Sequence, residues 1–450
     1  MEFTGKKVLI VGTGKSGVAA AELLQKKQAD LIIFDGNKEL KEEQVKEKSG
    51  AFSDAEIVLG ELPESVMEEL DLVVLSPGVP TDLPMVNAIR DKKIPIIGEI
   101  ELAYQCAKGK ILAITGTNGK TTTKELTAAV LATKWHVLYT QGNFNNHIGV
   151  PKTLLRLNSA HQLAVIETGA NHPGEIAELS ALVDANCGLI TNVGRAHLEG
   201  FGSFEGVIHT KGELYDYLRQ KPGAFIFLDG DNPHLAPIAE GIPAVTYGLP
   251  GKGYDVEGEI VACNPWLQFR FRVKGGEWHT VQTHLIGSYN LTNALAALAV
   301  GMRFDVSPEQ AAQAIAAYVP SNNRSELLRT AHNELIVDAY NANPTSMRAA
   351  LDNFALISHP HKMLILGEMR ELGAVSAEEH QKVAAQALSL GAEAVWFVGE
   401  EFQPYSEGAQ WFPDVEAVKT ALSGGAKPAE RLILIKGSNG TKLFQLPALL

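Results

Sequence analysis

The chain has 450 residues, 45% of them hydrophobic and 20% charged, with a formal net charge of -13. That length supports two to four domains with cores of their own, and the acidic balance argues against a nucleic-acid binder, whose ligand needs a basic face. Cys106, Cys187 and Cys263 show no paired spacing, and neither a leader pattern nor a bilayer-length apolar run occurs, so the expectation is no membrane association and a reducing cytoplasm.

Residues 1 to about 108 alternate β-like runs at 7–11, 31–34, 72–75 and 94–97 with helical stretches such as 18–27. This pattern predicts a parallel sheet with crossover helices. The first turn, Gly12-Thr-Gly-Lys-Ser-Gly17, with Asp35 after the second strand, has the spacing of a dinucleotide fingerprint: a tight turn, backbone close to phosphate, an acidic residue near a ribose. By itself it fits a nicotinamide site, another nucleotide or phosphate ligand, or a tight structural turn. Ser76-Pro-Gly78 follows another strand at the same carboxyl edge, where ligands of open α/β sheets bind.

A second domain is expected over 109–320. Ile111-Leu-Ala-Ile-Thr-Gly-Thr-Asn-Gly-Lys-Thr-Thr-Thr123 runs an apolar strand into a glycine-bearing loop. Nucleoside triphosphates need loop N–H groups, the positive end of a following helix, a lysine, and a hydroxyl for Mg²⁺. Gly116, Thr117, Asn118, Gly119, Lys120, Thr121 and Thr122 supply them, which makes ATP and Mg²⁺ the expected cofactors. The first glycine of the general G-x-x-x-x-G-K-[ST] pattern falls on Ile114, so a generic nucleotide switch or motor is disfavoured. Strand ends then carry Glu167, Asn192 and, shortly beyond, His197. Glu167 with Thr121 is a sufficient oxygen set for Mg²⁺, and His197 would complete a second metal site. Lys211, in a helical stretch, reads equally as a solvated surface lysine. Asn290 and Asn293 share one face where an alanine-rich helix opens, fitting either a helix cap or amides that read a base edge.

From 321 to 450, strands at 335–337, 363–366, 394–398 and 432–435 end in polar or glycine-rich turns. These are Asp338-Ala-Tyr-Asn-Ala-Asn-Pro344, Gly367-Glu-Met-Arg-Glu-Leu-Gly373, Gly399 and Lys436-Gly-Ser-Asn-Gly440, with Arg324, Asp338 and Lys436 as charges beside the cleft edges. The fold class is therefore α/β with three domains: an N-terminal Rossmann-like domain, a central P-loop ATPase-like domain with a mostly parallel sheet, and a C-terminal Rossmann-like domain.

Thr115-Gly-Thr-Asn-Gly-Lys-Thr-Thr122, Gly142-Asn-Phe-Asn-Asn-His-Ile-Gly149, Glu167-Thr-Gly-Ala-Asn171, Thr191-Asn-Val-Gly-Arg-Ala-His-Leu-Glu199 and the stretch from Asn290 to Asn293 resemble the ATP-dependent Mur ligases, which build the peptide stem of bacterial cell-wall precursors. From about 110 to 450 the resemblance is to the member that joins D-alanyl-D-alanine to UDP-N-acetylmuramoyl-tripeptide. It is carried by Asp338-Ala-Tyr-Asn-Ala-Asn-Pro-Thr-Ser-Met347, Leu366-Gly-Glu-Met-Arg-Glu-Leu-Gly373 and Lys436-Gly-Ser-Asn-Gly440. The first 108 residues instead resemble the domain with which the D-glutamate-adding member holds UDP-N-acetylmuramoyl-L-alanine, on Lys7-Val-Leu-Ile-Val-Gly-Thr-Gly-Lys-Ser-Gly17, Ser76-Pro-Gly-Val-Pro80 and Gly98-Glu-Ile-Glu-Leu102. The chain reads as a mosaic, either an engineered chimera or a natural recombinant.

The resemblance implies amide ligation through an acyl phosphate, with Lys120 neutralising the transferring phosphoryl group, Thr121 and Glu167 on Mg²⁺, His197 assisting a second metal and Lys211 carbamylated as a metal ligand. It implies that Asn290, Asn293, Arg324 and Asp338 hold ATP. Ser16, Gly17, Asp35, Gly36, Asn37, Ser76, Pro77, Gly78, Asn143 and Asn146 are candidates for the UDP substrate, and Tyr340, Asn341, Asn343, Lys436, Ser438 and Asn439 for the incoming amine. The expected protein is a bacterial, cytoplasmic monomer acting on a UDP-N-acetylmuramoyl-peptide. Three rivals stand beside it: D-glutamate addition, which the first domain favours and Asp338-Ala-Tyr-Asn341 opposes, because it replaces an Asp-Ser-Lys run; an NAD-dependent oxidoreductase; and a nucleotide-binding scaffold with little turnover.

Overall fold

The computed structural model describes residues 3–99, 101–102, 109–158, 160–196, 198–320, 324, 326–425 and 427–450. It contains two compact units, one formed by Met1–Gly109 with His147–Gln162 and the other by Lys110–Asn146 with Leu163–Leu450. The boundary expected near residue 320 lies inside the second unit.

The first unit holds a five-stranded parallel sheet of β1 (Lys7–Val11), β2 (Asp30–Asp35), β3 (Glu56–Leu59), β4 (Leu72–Leu75) and β5 (Ile96–Gly98), in the order β3-β2-β1-β4-β5. Val8, Leu9, Ile10 and Val11 are all buried, as a strand covered on both faces requires. The chain reverses its winding between β1 and β4, and the loops after these two strands meet there: a Cβ on Gly12 would stand 2.9 Å from Ser76 Oγ. The helix expected from residue 18 begins at Lys15, because Gly14 supplies the extended cap. The strand expected from residue 94 begins two residues later, because Lys93 takes a left-handed turn with φ of 60°.

The second unit holds two sheets. The larger contains β6 (Lys110–Thr115), β7 (Val137–Tyr139), β8 (Leu163–Glu167), β9 (Cys187–Ile190), β10 (Phe225–Asp229), β11 (Ala244–Gly248), β12 (Val256–Cys263), β13 (Trp266–Val273) and β14 (His279–Ile286), in the order β14-β13-β12-β11-β10-β9-β6-β8-β7. β6 lies between β9 and β8, so the loop leaving it faces a winding switch. The antiparallel strands β12 to β14 lie outside the elements expected from the sequence. β13, Trp-Leu-Gln-Phe-Arg-Phe-Arg-Val, alternates with period two and is the signal that reveals them. The helix Asn290–Arg303 is buried on nearly all sides and packs on the helix Lys120–Ala132; a Cβ on Gly301 would meet Val130 Cγ1 at 2.5 Å, so this glycine sets the helix separation.

The smaller sheet comprises β15 (Glu326–Arg329), β16 (Asn333–Asp338), β17 (Lys362–Gly367), β18 (Ala394–Val398), β19 (Gln410–Phe412) and β20 (Arg431–Lys436), in the order β15-β16-β20-β17-β18-β19. β15 is antiparallel and the others parallel, which brings the carboxyl ends of β16, β20 and β17 side by side. Among the described residues no helix is long and apolar enough to cross a membrane.

Candidate active site

β6 delivers the chain to Gly116 and Gly119, whose φ angles of 136° and 78° are left-handed. A Cβ on Gly116 would lie 2.1 Å from Thr191 Oγ1 and one on Gly119 2.4 Å from Asn293 Oδ1, so both places require glycine. The loop is also held from β9: the Asn118 N–H donates to Asn192 Oδ1 at 2.9 Å, Asn192 Nδ2 donates to Asn118 O at 3.0 Å, and the Thr117 N–H donates to Asn192 O at 2.9 Å. This bracing leaves the loop preformed around the start of the Lys120–Ala132 helix. Lys120 Nζ donates to Gly116 O at 2.6 Å and Thr117 O at 2.9 Å. Burial pushes its ammonium down to about 8, with Arg324 adding to the effect and Glu167 opposing it. Thr122, next along the helix, is half-buried.

Thr121 and Glu167 meet below the loop. Thr121 Oγ1 donates to Glu167 Oε2 at 3.1 Å, Asn145 Nδ2 donates to Oε1 at 2.8 Å, and both Thr121 and Glu167 are buried. A buried carboxylate beside a hydroxyl, with no cation among the described residues in hydrogen-bond contact, is an oxygen donor set that suits Mg²⁺. Among the described residues no cluster of three His, Cys, Asp or Glu side chains could hold an ion alone, so a cation here would need phosphate oxygens as well. Asn145 belongs to the sequence motif from Gly142 to Gly149 but not to the residues singled out from it. Lys211 is buried, not on the surface: Nζ lies over the Phe201 ring at 5.2 Å and donates to Ala170 O at 3.4 Å. Burial, reinforced by Lys120, brings it down to about 7, against the pull of Glu213 and Glu175. His197 lies outside the described residues.

Asn290 and Asn293 are buried at the start of their helix. Asn290 Nδ2 donates to Ile286 O at 2.8 Å, Asn293 Nδ2 donates to Asn290 Oδ1 at 2.8 Å, and Thr123 Oγ1 donates to Asn293 Oδ1 at 3.1 Å. Their amides thus tie this helix to the one after the phosphate loop. The smaller sheet approaches the same loop. Asn343 caps the Pro344–Leu356 helix through Oδ1, and its Nδ2 donates to Asn118 Oδ1 at 2.8 Å. Arg324 stacks over the Tyr340 ring at 4.0 Å. Lys436 and Asp338 form an ion pair at 2.5 Å, with Lys436 Nζ also donating to Asn341 O at 3.3 Å. Ser438 is buried and Asn439 exposed at the end of β20.

In the first unit, Asp35 accepts from Thr13 Oγ1 at 2.6 Å and from the Asn37 N–H at 3.0 Å, while Lys48 Nζ donates to Thr13 Oγ1 at 2.9 Å. A Cβ on Gly17 would fall 1.9 Å from Gly12 O, so the turn closes only with glycine there. Ser16 and Ser76 are half-buried, whereas Gly36, Asn37, Pro77 and Gly78 are exposed. Asn143 and Asn146, in the second unit, are exposed. Lys48 is a cation at this loop that has no motif of its own in the sequence.

A chain that braces a shortened phosphate loop in this way matches three family models: a Mur ligase MurD-like N-terminal domain over residues 6–98, a Mur ligase middle domain over 114–301, and a Mur ligase glutamate ligase domain over 323–439. It is 34% identical over 368 residues, 79% of each chain, to UDP-N-acetylmuramoyl-tripeptide--D-alanyl-D-alanine ligase of Bacillus subtilis. The chain belongs to the Mur ligase family. A second Mur ligase relative, UDP-N-acetylmuramoylalanine--D-glutamate ligase of Lachnoclostridium phytofermentans, is 32% identical over 330 residues, 73% of this chain and 71% of that one. Among solved Mur ligases, MurF from Acinetobacter baumannii superposes with a TM-score of 0.70 at 26% identity, covering 99% of this chain and 90% of that one. The N-terminal match is to a MurD-like model, as the resemblance of the first 108 residues implied.

Proposed function

We propose that this Mur ligase adds D-alanyl-D-alanine to UDP-N-acetylmuramoyl-tripeptide with hydrolysis of ATP to ADP and phosphate. The reading assigns three domains, 1–108 for the UDP substrate, 109–320 for ATP and 321–450 for the amine. The observation that carries it is the Asn118–Asn343 contact, which sets the carboxyl edge of the smaller sheet against the phosphate loop. A carboxylate is a poor electrophile, because oxide is a poor leaving group. Transfer of the γ-phosphoryl group to the tripeptide carboxylate releases ADP and gives an acyl phosphate; the neutral amine of the dipeptide then attacks the carbonyl carbon, and phosphate departs from the tetrahedral intermediate as the amide forms. Lys120 neutralises charge on the transferring group. Mg²⁺ would be held by Thr121 and Glu167 and would supply charge neutralisation on the phosphates. Lys211, with a large neutral fraction near pH 7, is in the state that reacts with carbon dioxide, and a carbamate there would add a carboxylate ligand. Arg324, Asp338, Asn290 and Asn293 frame the nucleotide, and apposition of the two sheets excludes water from the acyl phosphate.

A second reading, D-glutamate addition to UDP-N-acetylmuramoyl-L-alanine, is favoured by the MurD-like N-terminal match. ADP release with product mass analysis separates the two, with each UDP acceptor offered in turn with each amine. Product from the tripeptide and D-alanyl-D-alanine is expected; product only from the L-alanine precursor and D-glutamate would overturn the first reading.

A further inference from the structure

The turn Gly367-Glu-Met-Arg-Glu-Leu-Gly373 has no part in the assignments above, yet it stands at the same carboxyl edge. β17 pairs directly with β20, so the turn lies beside Lys436-Gly-Ser-Asn-Gly440. A Cβ on Gly440 would stand 2.4 Å from Arg370 Nη1 and 2.5 Å from its Cζ, so the guanidinium lies against the backbone at Gly440. The Ser438 N–H reaches back to Glu368 O at 3.4 Å. On the outer side, Gly373 approaches Glu199, with a built Cβ 3.7 Å from that residue's Cβ, so the turn borders the larger sheet's loops.

Two groups on this border have chemistry in reserve. Lys436 is engaged by Asp338 and Arg324 by the Tyr340 ring. Arg370 by contrast is 57% exposed, and its ion-pair partner among the described residues, Glu368 Oε1, stands 3.6 Å from Nη2, beyond hydrogen-bond length. Ser438 Oγ is buried without a hydrogen-bond partner among the described residues, although buried hydroxyls are nearly always paired. The turn that carries Arg370 is rigidly held from behind. His380, fully buried, accepts the Met369 N–H at Nε2 at 2.9 Å and faces Ser376 O with Nδ1 at 2.8 Å, which fixes the proton on Nδ1.

We propose that Arg370 and Ser438 together hold the free carboxylate of the incoming dipeptide, and so determine amine specificity. This rests on the functional reading above. The attacking amine must be uncharged, so the full charge at the far end of the dipeptide is its chief handle. A guanidinium presents two parallel donors that match a carboxylate, and a hydroxyl supplies a third. Glu368 is the counter-charge that the substrate carboxylate displaces.

The test compares D-alanyl-D-alanine with its carboxyl-terminal amide in the wild-type enzyme, in Arg370→Ala and in Arg370→Lys. The wild type should prefer the acid by about 10- to 100-fold in kcat/KM, the size of a charge-assisted contact. In Arg370→Ala that preference should collapse toward unity while turnover of the amide and KM for ATP are retained; Arg370→Lys should fall between. A merely structural role would lower both amines equally, and that result, or a wild type indifferent to the carboxylate, overturns the inference alone. A wild type that ligates neither dipeptide while accepting D-glutamate overturns the functional reading and this inference with it.

Discussion

Lys120, half-buried, and Lys211, buried, are two amines whose positive charges oppose each other, and on the proposed function the site gains activity at the expense of stability through both. Lys120→Ala should lower ATP-dependent ligation by at least about 10²- to 10³-fold, the scale of losing one preorganised charge on a reacting group. The variant's thermal midpoint should not fall; undiminished ADP release would remove Lys120 from the chemistry. For Lys211, burial brings the ammonium from 10.5 down to about 7. Between those values the unfolded chain holds a proton that the folded chain has given up, so this group makes stability rise as pH rises through that window. Lys211→Met should flatten the dependence of thermal midpoint on pH between neutrality and alkaline pH while abolishing ligation. Added bicarbonate should raise wild-type activity in carbon-dioxide-depleted buffer, and an unresponsive enzyme would remove the carbamate from the scheme.

At the scale of the element, one contact in the phosphate loop and one behind the Gly367–Gly373 turn are open to direct test. A side chain at Gly119 meets both a left-handed backbone, which costs about 1–2 kcal/mol, and Asn293 Oδ1 at 2.4 Å. Gly119→Ala should therefore weaken ATP binding by at least about tenfold and lower the thermal midpoint by several degrees, read by nucleotide titration and a melting curve. His380 is held below its ordinary 6.5 by burial, while the bond to Ser376 O and the charges of Glu401, Glu368 and Glu379 pull the other way. A depressed value means that stability is fully present above 6.5 and is lost as pH falls through the lowered folded value. The wild-type midpoint should drop more steeply on acidification below 6.5 than that of His380→Gln, and identical slopes would contradict the assignment.

These elements also show what the sequence can express. Strand runs such as residues 394–398 coincide with their observed bounds because four or more apolar residues between turn formers leave little choice. Thr121 and Glu167 are readable as partners because Thr121 follows the lysine of the phosphate-loop motif and Glu167 ends the next long apolar strand run. Lys211 was not readable as buried, since its partners Phe201 and Ala170 come from other turns and only tertiary packing brings them over the ammonium. The same is true of Arg370, whose meaning depends on β17 lying next to β20 although Ala394–Val398 and Gln410–Phe412 separate them in sequence. Of the strands β12 to β14, β13 and β14 alternate but carry no catalytic motif, and nothing in a motif-led reading directs attention to them.

At the scale of the whole molecule, a MurD-like first domain precedes two domains whose motifs follow the D-alanyl-D-alanine-adding member. On the proposed function, acceptor length and amine choice are therefore separable. Exchange of the first domain should change which UDP-peptide is taken without changing the preferred amine, and a joint change of both would contradict this division. The first unit, however, is written in two places along the chain, with His147–Gln162 belonging to it although the phosphate loop and its helix intervene. That inset carries buried Val150, Leu154 and Leu157. In such an exchange, a cut near residue 109 would leave the incoming domain without a piece that its own segment does not encode. A transplanted front end would thus need either two cuts or a host segment already compatible with it, and a screen of transplanted domains should find its compensating changes clustered in those few residues, far in sequence from the seam.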